Sequence, residues 1–201
     1  MRSLRLKRIF DFIVVVLTMP LWLPLLLGVA LLVWANLGRP VFFRQRRPGL
    51  RGEIFELIKF RTMRNAADED GRLLPDSERL TAFGRWLRAS SLDELPELLN
   101  ILGGEMSLVG PRPLLVEYLP RYSKRQARRH EVPPGLTGLA QVRGRNTLTW
   151  EEKFDWDVRY IETRTLQMDC GILFETVVKV FRREGISAQG EATMPEFQPK
   201  T

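Results

Sequence analysis

The sequence is poor in the residues from which many proteins build metal centres and disulfide frameworks. It contains one cysteine, Cys170, and one histidine, His130, among 201 residues. A single cysteine excludes an internal disulfide, and a single histidine excludes a histidine-rich metal cluster. A zinc enzyme is therefore not expected, and a reducing, cytoplasmic face is the expected setting.

The sequence also lacks the glycine-rich loops that hold phosphates in the common nucleotide-binding folds. Neither GxGxxG nor GxxxxGK[ST] occurs, and no internal repeat is evident. The formal net charge of +7 suits a phosphorylated substrate, an anionic membrane face or nucleic acid, and does not decide among them. The length suits one compact catalytic unit with an anchor.

An apolar segment near the amino end is long enough to enter a membrane. Residues 12–35 carry no charged side chain, and about 24 helical residues at ~1.5 Å each cross a ~30 Å hydrocarbon layer. A cleaved signal peptide is an alternative, but the segment is long and no small-residue A-x-A site follows it. The sequence therefore predicts residence at a membrane.

Two features of this segment disfavour a straight crossing. Positive charge flanks both ends, which gives the positive-inside rule no preferred orientation. Pro20 and Pro24 lie near the middle, where each removes a helical hydrogen bond. We predict a re-entrant helix that bends between these prolines and returns to the cytoplasmic side, with a kinked spanning helix as the alternative. The flanking basic residues are Arg2, Arg5, Lys7 and Arg8 before the segment and Arg39, Arg44, Arg46 and Arg47 after it.

Aromatic and β-branched runs predict a β-hairpin directly after the anchor. The runs cover residues 41–45 and 54–61 and surround a Pro-Gly turn. Lys59 lies on the second strand and is interpreted as a solvated edge lysine. The polar stretch 65–75 that follows has the composition of a loop.

Apolar spacing predicts helices in the rest of the chain. They cover about residues 76–90, residues 98–102 up to Gly103-Gly104, residues 150–164 and residues 170–183. The last helix has the pattern of one lying on a membrane surface, although ordinary core packing explains it equally well. The tail from Gln189 onward is polar and is expected to be loosely held.

The adjacent carboxylates Asp93 and Glu94 are the leading candidates for chemistry. They precede an apolar helix, and free N–H groups at a helix start favour a bound anion such as phosphate. Mg²⁺ binds one or two carboxylates together with substrate phosphates, without histidine. An ionised Asp can also attack phosphorus and form an aspartyl phosphate. The alternative is structural, because Ser91-x-x-Glu94 matches a capping box.

Basic residues strengthen the functional interpretation of this pair. Guanidinium groups bind phosphates bidentately and stabilise charge on a transferring phosphoryl group. Arg112 lies between two prolines, and Arg145 lies in a glycine-containing loop. Each alone is more simply a surface arginine, and Asp157 and Asp169 are interpreted as solvent-facing or ion-paired. The basic set is Lys59, Arg85, Arg88, Arg112, Arg143 and Arg145.

Three motifs resemble the bacterial sugar transferases, the monotopic polyprenyl-phosphate phosphoglycosyl transferases. They are FELIKFRTM (55–63), SLDELPELLNILGGEMSLVGPRPLLVEYLP (91–120) and PGLTGLAQVRGRN (134–146). The resemblance runs from the basic amino end to about Thr193, and the long central block is highly specific. It is most similar to the small members that transfer diacetylbacillosamine phosphate.

The resemblance implies an α+β fold, mainly helical, of a monotopic membrane protein. A re-entrant membrane helix would cover residues 1–38, and a polar tail would cover 189–201. Between them, residues 39–188 would form a catalytic domain with interfacial helices and a helix-associated β-hairpin. The protein would lie at the bacterial inner membrane, with its catalytic part on the cytoplasmic face.

The resemblance also implies ping-pong chemistry with Mg²⁺ as cofactor. Asp93, supported by Glu94, would bind the metal and attack the β-phosphorus of a UDP-sugar, releasing UMP. Undecaprenyl phosphate would then collect the sugar phosphate. Membrane lipids and downstream glycosyltransferases are the other implied partners, and nucleic acid is not one. The implied substrate-binding residues are Lys59, Arg88, Pro111, Arg112, Pro113, Arg145 and Asp157.

One departure from the family pattern lies at the membrane bend. Met19-Pro20 replaces the Ser-Pro that members often carry, and methionine cannot bond freed carbonyls as serine can. Two other classes of function stay open on the residues alone. One is a membrane-tethered protein that binds nucleic acid or anionic lipid, and the other is a phosphodiesterase-like hydrolase.

Overall fold

The structure is a computed structural model that describes residues 4–68, 70–144, 147–182 and 197–198. The helices are α1 (Leu4–Leu37), α2 (Asp76–Arg79), α3 (Ala82–Ala89), α4 (Glu97–Gly103), α5 (Lys124–Ala127), α6 (Leu139–Arg143), α7 (Trp150–Thr163) and α8 (Leu166–Arg182). The strands are β1 (Phe42–Pro48), β2 (Ile54–Phe60), β3 (Ser107–Val109) and β4 (Gly135–Thr137). Short 3₁₀ segments include Leu92–Glu94. The mainly helical α+β class and the hairpin are confirmed.

Helix α1 has the length and hydropathy of a membrane helix, and it continues through Pro20 and Pro24. Most of its apolar side chains are exposed, as at Leu17 and Leu21, where 74% and 77% of the surface is accessible. One stripe is buried instead, from Lys7 through Val15 and Val29 to Val33. The helix therefore packs one face into the protein core and presents a broad apolar surface outward.

Both ends of α1 are bonded to elements that follow it in the chain. Near the start, Arg8 donates hydrogen bonds to the carbonyls of Ile101 and Leu102, the second at 2.6 Å. At the end, Arg61 donates to the carbonyls of Leu37 and Gly38, the second at 2.8 Å. Because the last carbonyls of a helix lack intrahelical partners, Arg8 serves as a cap for α4.

A buried polar cluster adds to this attachment. Lys7 contacts Asp11 and lies 3.2 Å from the Asp169 carboxylate. Ser107 donates to Asp11 at 2.7 Å, and Tyr160 donates to Asp169 at 2.8 Å. Asp169 is therefore ion-paired and buried, which excludes the solvent-facing alternative for it. The cluster joins α1, β3, α7 and α8.

The hairpin packs against α4 through one amide side chain. β1 and β2 pair antiparallel from Phe42–Phe60 to Pro48–Ile54, so the first strand is longer than predicted. Asn100 of α4 accepts from the Ile58 N–H at 3.1 Å and donates to the Glu56 carbonyl at 2.8 Å. This amide satisfies the free edge of β2, which would otherwise expose unpaired backbone groups.

The prediction of a single helix over residues 76–90 is wrong, because the helix is interrupted between α2 and α3. Leu80 is extended, and the Thr81 hydroxyl caps α3 by accepting from the Gly84 N–H at 3.0 Å. Gly84 has a further reason to be glycine. A Cβ there would lie 1.8 Å from the Thr62 carbonyl oxygen, so only glycine lets α3 approach the end of β2 so closely.

The other helices match the predictions at most of their bounds. α4 ends at Gly103 and is followed by Gly104, which has a left-handed φ of 92°, and α7 ends one residue before the predicted Arg164. α8 begins at Leu166 rather than Cys170. It buries Ile172 in the core and leaves Phe174 72% exposed, so core packing is confirmed for one face, and contact of the other face with a membrane surface stays a prediction.

The parallel pair β3–β4 and the position of Phe197 were not predicted. Ser107 pairs with Gly135, and Val109 pairs with Thr137, which brings the two proline-rich loops side by side. Phe197 is only 4% exposed and packs among Tyr118, Tyr122, Trp150 and Phe154. The prediction of a loosely held tail is wrong for this residue, and the tail positions 189–196 and 199–201 lie outside the described residues.

Candidate active site

The pair Asp93 and Glu94 lies in the 3₁₀ turn that joins α3 to α4. Ser91 begins the turn with a left-handed φ of 55°, a conformation that costs a non-glycine residue about 1–3 kcal/mol. The predicted capping box is wrong, because Ser91 makes no side-chain cap and α4 starts only at Glu97. The turn thus holds both carboxylates before the helix begins.

One oxygen of the Glu94 carboxylate is paired with two cations. Its Oε1 atom lies 2.9 Å from Lys59 Nζ and also accepts a short hydrogen bond from Arg112. Burial raises the pKa of Glu94, but Arg112 and Lys59 outweigh burial and hold that pKa well below its ordinary range. Glu94 is therefore a fixed anion that orients two basic side chains.

Lys59 is not the solvated edge lysine that the strand pattern suggested. Its side chain is only 19% exposed and lies between Glu94 and Glu97, with Nζ 3.0 Å from Glu97 Oε1. Burial lowers the pKa of Lys59, yet Glu94 and Glu97 raise it by more. The hairpin turns this side chain toward the 3₁₀ turn instead of toward solvent, since β2 packs on α4.

Glu97 is a member of this site that sequence reasoning missed. It is 2% exposed, at the first turn of α4, and burial raises its pKa to about 7 although Lys59 acts in the opposite direction. One signal in the sequence could have found it. Glu97 lies three residues after Glu94, a spacing that places two side chains next to each other on one face of a helix. A charged residue at the head of the apolar run Glu97–Gly103 was the visible anomaly.

The Asp93 carboxylate is half-buried, and no residue of the described ranges bonds to it or pairs with it. Burial, and then Glu94, raise the pKa of Asp93 to about 6, while Lys59, Arg112 and Arg88 act against that rise. Arg88 is placed by its hydrogen bond to Thr62 Oγ1 at 3.1 Å. Asp93 is thus the member of the pair that is left available for chemistry.

The Pro111-Arg112-Pro113 loop is fixed by the β3–β4 pair. The Gly135 N–H donates to the Pro111 carbonyl at 3.0 Å, and the Gly110 N–H donates to the Thr137 carbonyl at 2.9 Å. A Cβ on Gly110 would lie 2.5 Å from the Pro133 carbonyl oxygen, so the two loops touch. Beside the loop is a cavity of about 10 Å³, with room for about one water molecule. It is lined by Pro48, Pro111, Arg112, Pro113, Arg129, His130, Val132 and Pro134.

Asp157 lies behind this loop, paired with an arginine. Its carboxylate is 2.9 Å from Arg129, and both side chains are almost fully buried. Burial raises the pKa of Asp157 to about 6, with Arg129 opposing. Arg129 in turn donates to the Arg112 carbonyl at 2.7 Å. Asp157 therefore reaches the site through Arg129 and Arg112, and the solvent-facing alternative for it is wrong.

The structure brings together only part of the predicted basic set. Lys59, Arg88 and Arg112 surround the Asp93–Glu94 turn. Arg85 instead bonds the Leu80 carbonyl, and Arg143 pairs with Glu175 at 3.8 Å and lies over Trp156. Arg145 lies outside the described residues, so its predicted contact with substrate stays a prediction.

The donor set can be compared with the needs of Mg²⁺. Within residues 4–68, 70–144, 147–182 and 197–198, no group of three or more His, Cys, Asp or Glu side chains is placed to hold an ion. Mg²⁺ commonly takes one or two carboxylates and completes its shell with waters and substrate phosphates. Asp93, a carboxylate without a partner among the described residues, fits that requirement, whereas Oε1 of Glu94 is paired with both Lys59 and Arg112.

Comparison with known proteins shows which protein family the sequence matches. Residues 2–183 match the profile of the family described as bacterial sugar transferase. The chain is 50% identical over 192 residues to the uncharacterized sugar transferase EpsL of Bacillus subtilis, covering 96% of this chain and 95% of that protein.

Two further relatives carry names that state a reaction. The UDP-glucose:undecaprenyl-phosphate glucose-1-phosphate transferase of Caulobacter vibrioides is 44% identical over 186 residues, which is 85% of this chain and 68% of that protein. The enzyme of the same name from Xanthomonas campestris is 42% identical over 178 residues. There the alignment spans 83% of this chain but only 36% of the longer protein.

The pair Asp157–Arg129 yields a stability prediction. Asp157→Asn leaves the buried Arg129 cation without its counter-charge, which typically destabilises by about 3 kcal/mol, and we expect Tm to fall by about 6 °C or more in scanning fluorimetry. The matched control is Asp155→Asn on the same helix. Its pair with Arg125 is 62–68% exposed and is expected to contribute within about 0.5 kcal/mol. Equal Tm shifts for the two variants would show that the buried pair has no special role.

Proposed function

The chain belongs to the bacterial sugar transferase family and is thereby a phosphoglycosyl transferase, and we propose that it moves a sugar 1-phosphate from a UDP-sugar to undecaprenyl phosphate with release of UMP. The observation that supports this proposal is the difference between the two carboxylates of the turn Leu92–Glu94. Glu94 binds two cations, while Asp93 beside it is half-buried and without a partner among the described residues. An available carboxylate surrounded by cations suits attack on a phosphate ester.

In the first step, Asp93 Oδ attacks the β-phosphorus of the UDP-sugar. A bond forms between this oxygen and phosphorus, and the bond from phosphorus to the bridging oxygen breaks. UMP leaves with that oxygen and its electron pair, and a sugar phosphate stays on Asp93. Burial raises the pKa of Asp93 to about 6, so the carboxylate is mostly ionised at neutral pH.

In the second step, an oxygen of undecaprenyl phosphate attacks the same phosphorus. The bond between Asp93 and phosphorus breaks, the carboxylate is restored, and the product is a sugar joined to the lipid through a diphosphate. This step needs no proton from the enzyme, because the attacking group and the leaving group are both anionic oxygens. Splitting one transfer into two displacements at one aspartate is the advantage of covalent catalysis.

Cationic side chains stabilise the charge that develops on phosphorus oxygens. Arg112, Lys59 and Arg88 lie on the sides of the turn that carries Asp93, and Glu94 holds the first two in place. Pro111 and Pro113 restrict the backbone of Arg112. Mg²⁺ held by Asp93 and the substrate phosphates would neutralise phosphate charge as a Lewis acid.

We propose that α1 is re-entrant, so that both of its ends lie on the cytoplasmic side of the inner membrane. A straight helix of 34 residues would be about 51 Å long. The ends of α1 instead bond to neighbouring elements, since Arg8 caps α4 and Arg61, which follows β2, binds Leu37. α4 and β2 are adjacent through Asn100, which favours a helix that bends back.

Side chains near the prolines support the bend. Trp22 Nε1 donates to the Val15 carbonyl, seven residues earlier, at 2.9 Å, a short reach for residues about 10.5 Å apart along a straight helix. The Thr18 hydroxyl donates to the Val14 carbonyl at 2.7 Å. Both bonds go to carbonyls within two residues of Val16, whose carbonyl loses its helical N–H partner to Pro20.

The exposed apolar surface favours contact with membrane lipids. Phe174 and Val177 of α8 are 72% and 53% exposed, and they add to the outer face of α1. Such a position brings the site close to the phosphate of a lipid substrate. We further propose that downstream glycosyltransferases receive the lipid-linked sugar. The transfer of diacetylbacillosamine phosphate stays a prediction, since the relatives named above state UDP-glucose.

Removing the nucleophile tests the reaction. Asp93→Asn is expected to lower UMP release from UDP-sugars by at least about 10³-fold in purified protein with undecaprenyl phosphate and Mg²⁺. The control is Asp76→Asn, because Asp76 is exposed at the start of α2 and paired only with Arg79 at 3.5 Å. Unchanged UMP release by Asp93→Asn would refute the mechanism.

The same assay separates the other classes of function. UMP that accumulates well beyond one equivalent per enzyme without a lipid product would identify a hydrolase. Binding of nucleic acid or anionic lipid that survives Asp93→Asn, with no turnover of any UDP-sugar, would identify a tethered binding protein. The proposed transferase requires that UMP and lipid-linked sugar phosphate form in equal amounts.

Labelling tests the course of α1. In a Cys170→Ser background, cysteines placed at Arg5 and Arg39 are expected to react with a membrane-impermeant maleimide from the same side of inner-membrane vesicles. Native Cys170 is exposed and reports the side of the catalytic domain. Labelling of the two ends from opposite sides would contradict the re-entrant course and favour a spanning helix.

A further inference from the structure

Glu97 is a buried carboxylate that the proposed chemistry does not use. It lies at the start of α4, four residues after Asp93, and is 2% exposed. Its described partner is the Lys59 ammonium, 3.0 Å away. The same ammonium is 2.9 Å from Glu94, so a single cation bridges carboxylates from the 3₁₀ turn and from the helix that follows.

A carboxylate at this buried position is energetically unfavourable. The desolvation penalty of a buried charge is often larger than the electrostatic stabilisation from its pairing. A neutral amide of the same size could accept the same hydrogen bond from Lys59. What an amide cannot supply is negative charge. With Glu97, the set of Lys59, Arg112, Glu94 and Glu97 has two positive and two negative members.

The consequence concerns the freedom of Lys59. A lysine side chain is long and flexible, and its ammonium moves readily to the strongest nearby anion. When a diphosphate arrives, it competes with Glu94 for this ammonium. Glu97 attracts the ammonium from the side of α4, within the buried wall of the site, and so opposes its transfer onto the substrate.

We propose that Glu97 is a positioning residue that holds the Lys59 ammonium against Glu94 while the UDP-sugar is bound. This inference rests on the proposed function and deepens it. Glu94 then keeps its orientation toward Arg112, and Lys59 stabilises the transition state without binding the ground-state diphosphate too tightly. Glu97 acts through Lys59 and does not touch the reacting atoms.

The test is Glu97→Gln, which keeps the size and the hydrogen-bond acceptor but removes the charge. At about pH 8, above the pKa of Glu97, we expect kcat to fall by about tenfold and KM for the UDP-sugar to fall by about threefold or more. KM falls because the site becomes more positive and Lys59 is free to follow the diphosphate. Tm is expected to stay equal or to rise, because Lys59 keeps Glu94 as its counter-charge while one buried charge is lost.

A double-variant cycle shows whether Glu97 acts through Lys59. Lys59→Gln combined with Glu97→Gln is expected to have the same kcat as Lys59→Gln alone, within about twofold. The control is Glu56→Gln on the exposed face of β2, whose side chain is 54% exposed and pairs with Arg44. It is expected to leave kcat and KM unchanged.

Each result supports or overturns the proposal. A joint fall of kcat and KM, absent in the Lys59→Gln background, supports it. Values of both constants within twofold of wild type overturn it, and so does a fall in kcat accompanied by a lower Tm and an unchanged or higher KM, which identifies a structural role. Turnover of the wild-type protein is a separate readout, because its absence with every UDP-sugar contradicts the proposed function itself.

Discussion

Three segments that are far apart in the sequence meet at one carboxylate oxygen of Glu94. Lys59 comes from the hairpin, Arg112 from the proline-rich loop, and Glu94 itself from the turn before α4. Because this oxygen contacts two cations and the Glu94 side chain is only 19% exposed, its charge is compensated locally, and separating the three segments would leave uncompensated charge. Asp93, the next residue back, is left without a described partner, and this difference between neighbouring carboxylates is the basis for assigning the nucleophile.

The membrane helix and the site share the elements that hold them. α4 carries Glu97 at its start, is capped by Arg8 of α1 at its end, and supports β2 through Asn100 in between. Asp11 of α1 is bonded to Ser107 of β3, which leads directly into the loop of Arg112. Displacement of α1 would therefore disturb both α4 and β3. The anchor is thus part of the scaffold that positions the active site.

Local patterns in the sequence were sufficient for the hairpin and for α4 and α7. Those features depend on strand alternation, on helical spacing and on glycine at a helix end. The break at Thr81 was missed because its cause is the approach of Gly84 to the Thr62 carbonyl, a contact between segments 22 residues apart in sequence. Lys59 was misinterpreted and Glu97 was missed for the same reason, since the environment of both side chains is made by packing of β2 on α4. Motif resemblance supplied the reaction, which no spacing rule could give.

The most direct test of the account is to look for the covalent intermediate. The purified protein is incubated with UDP-sugar and Mg²⁺ but without undecaprenyl phosphate, and the intact mass and the peptide map are recorded. The account predicts a mass increase of one sugar phosphate on the peptide that contains Asp93, absent in Asp93→Asn and lost when undecaprenyl phosphate is added. An adduct on another residue, or UMP formation only when both substrates are present and with no adduct, would contradict it.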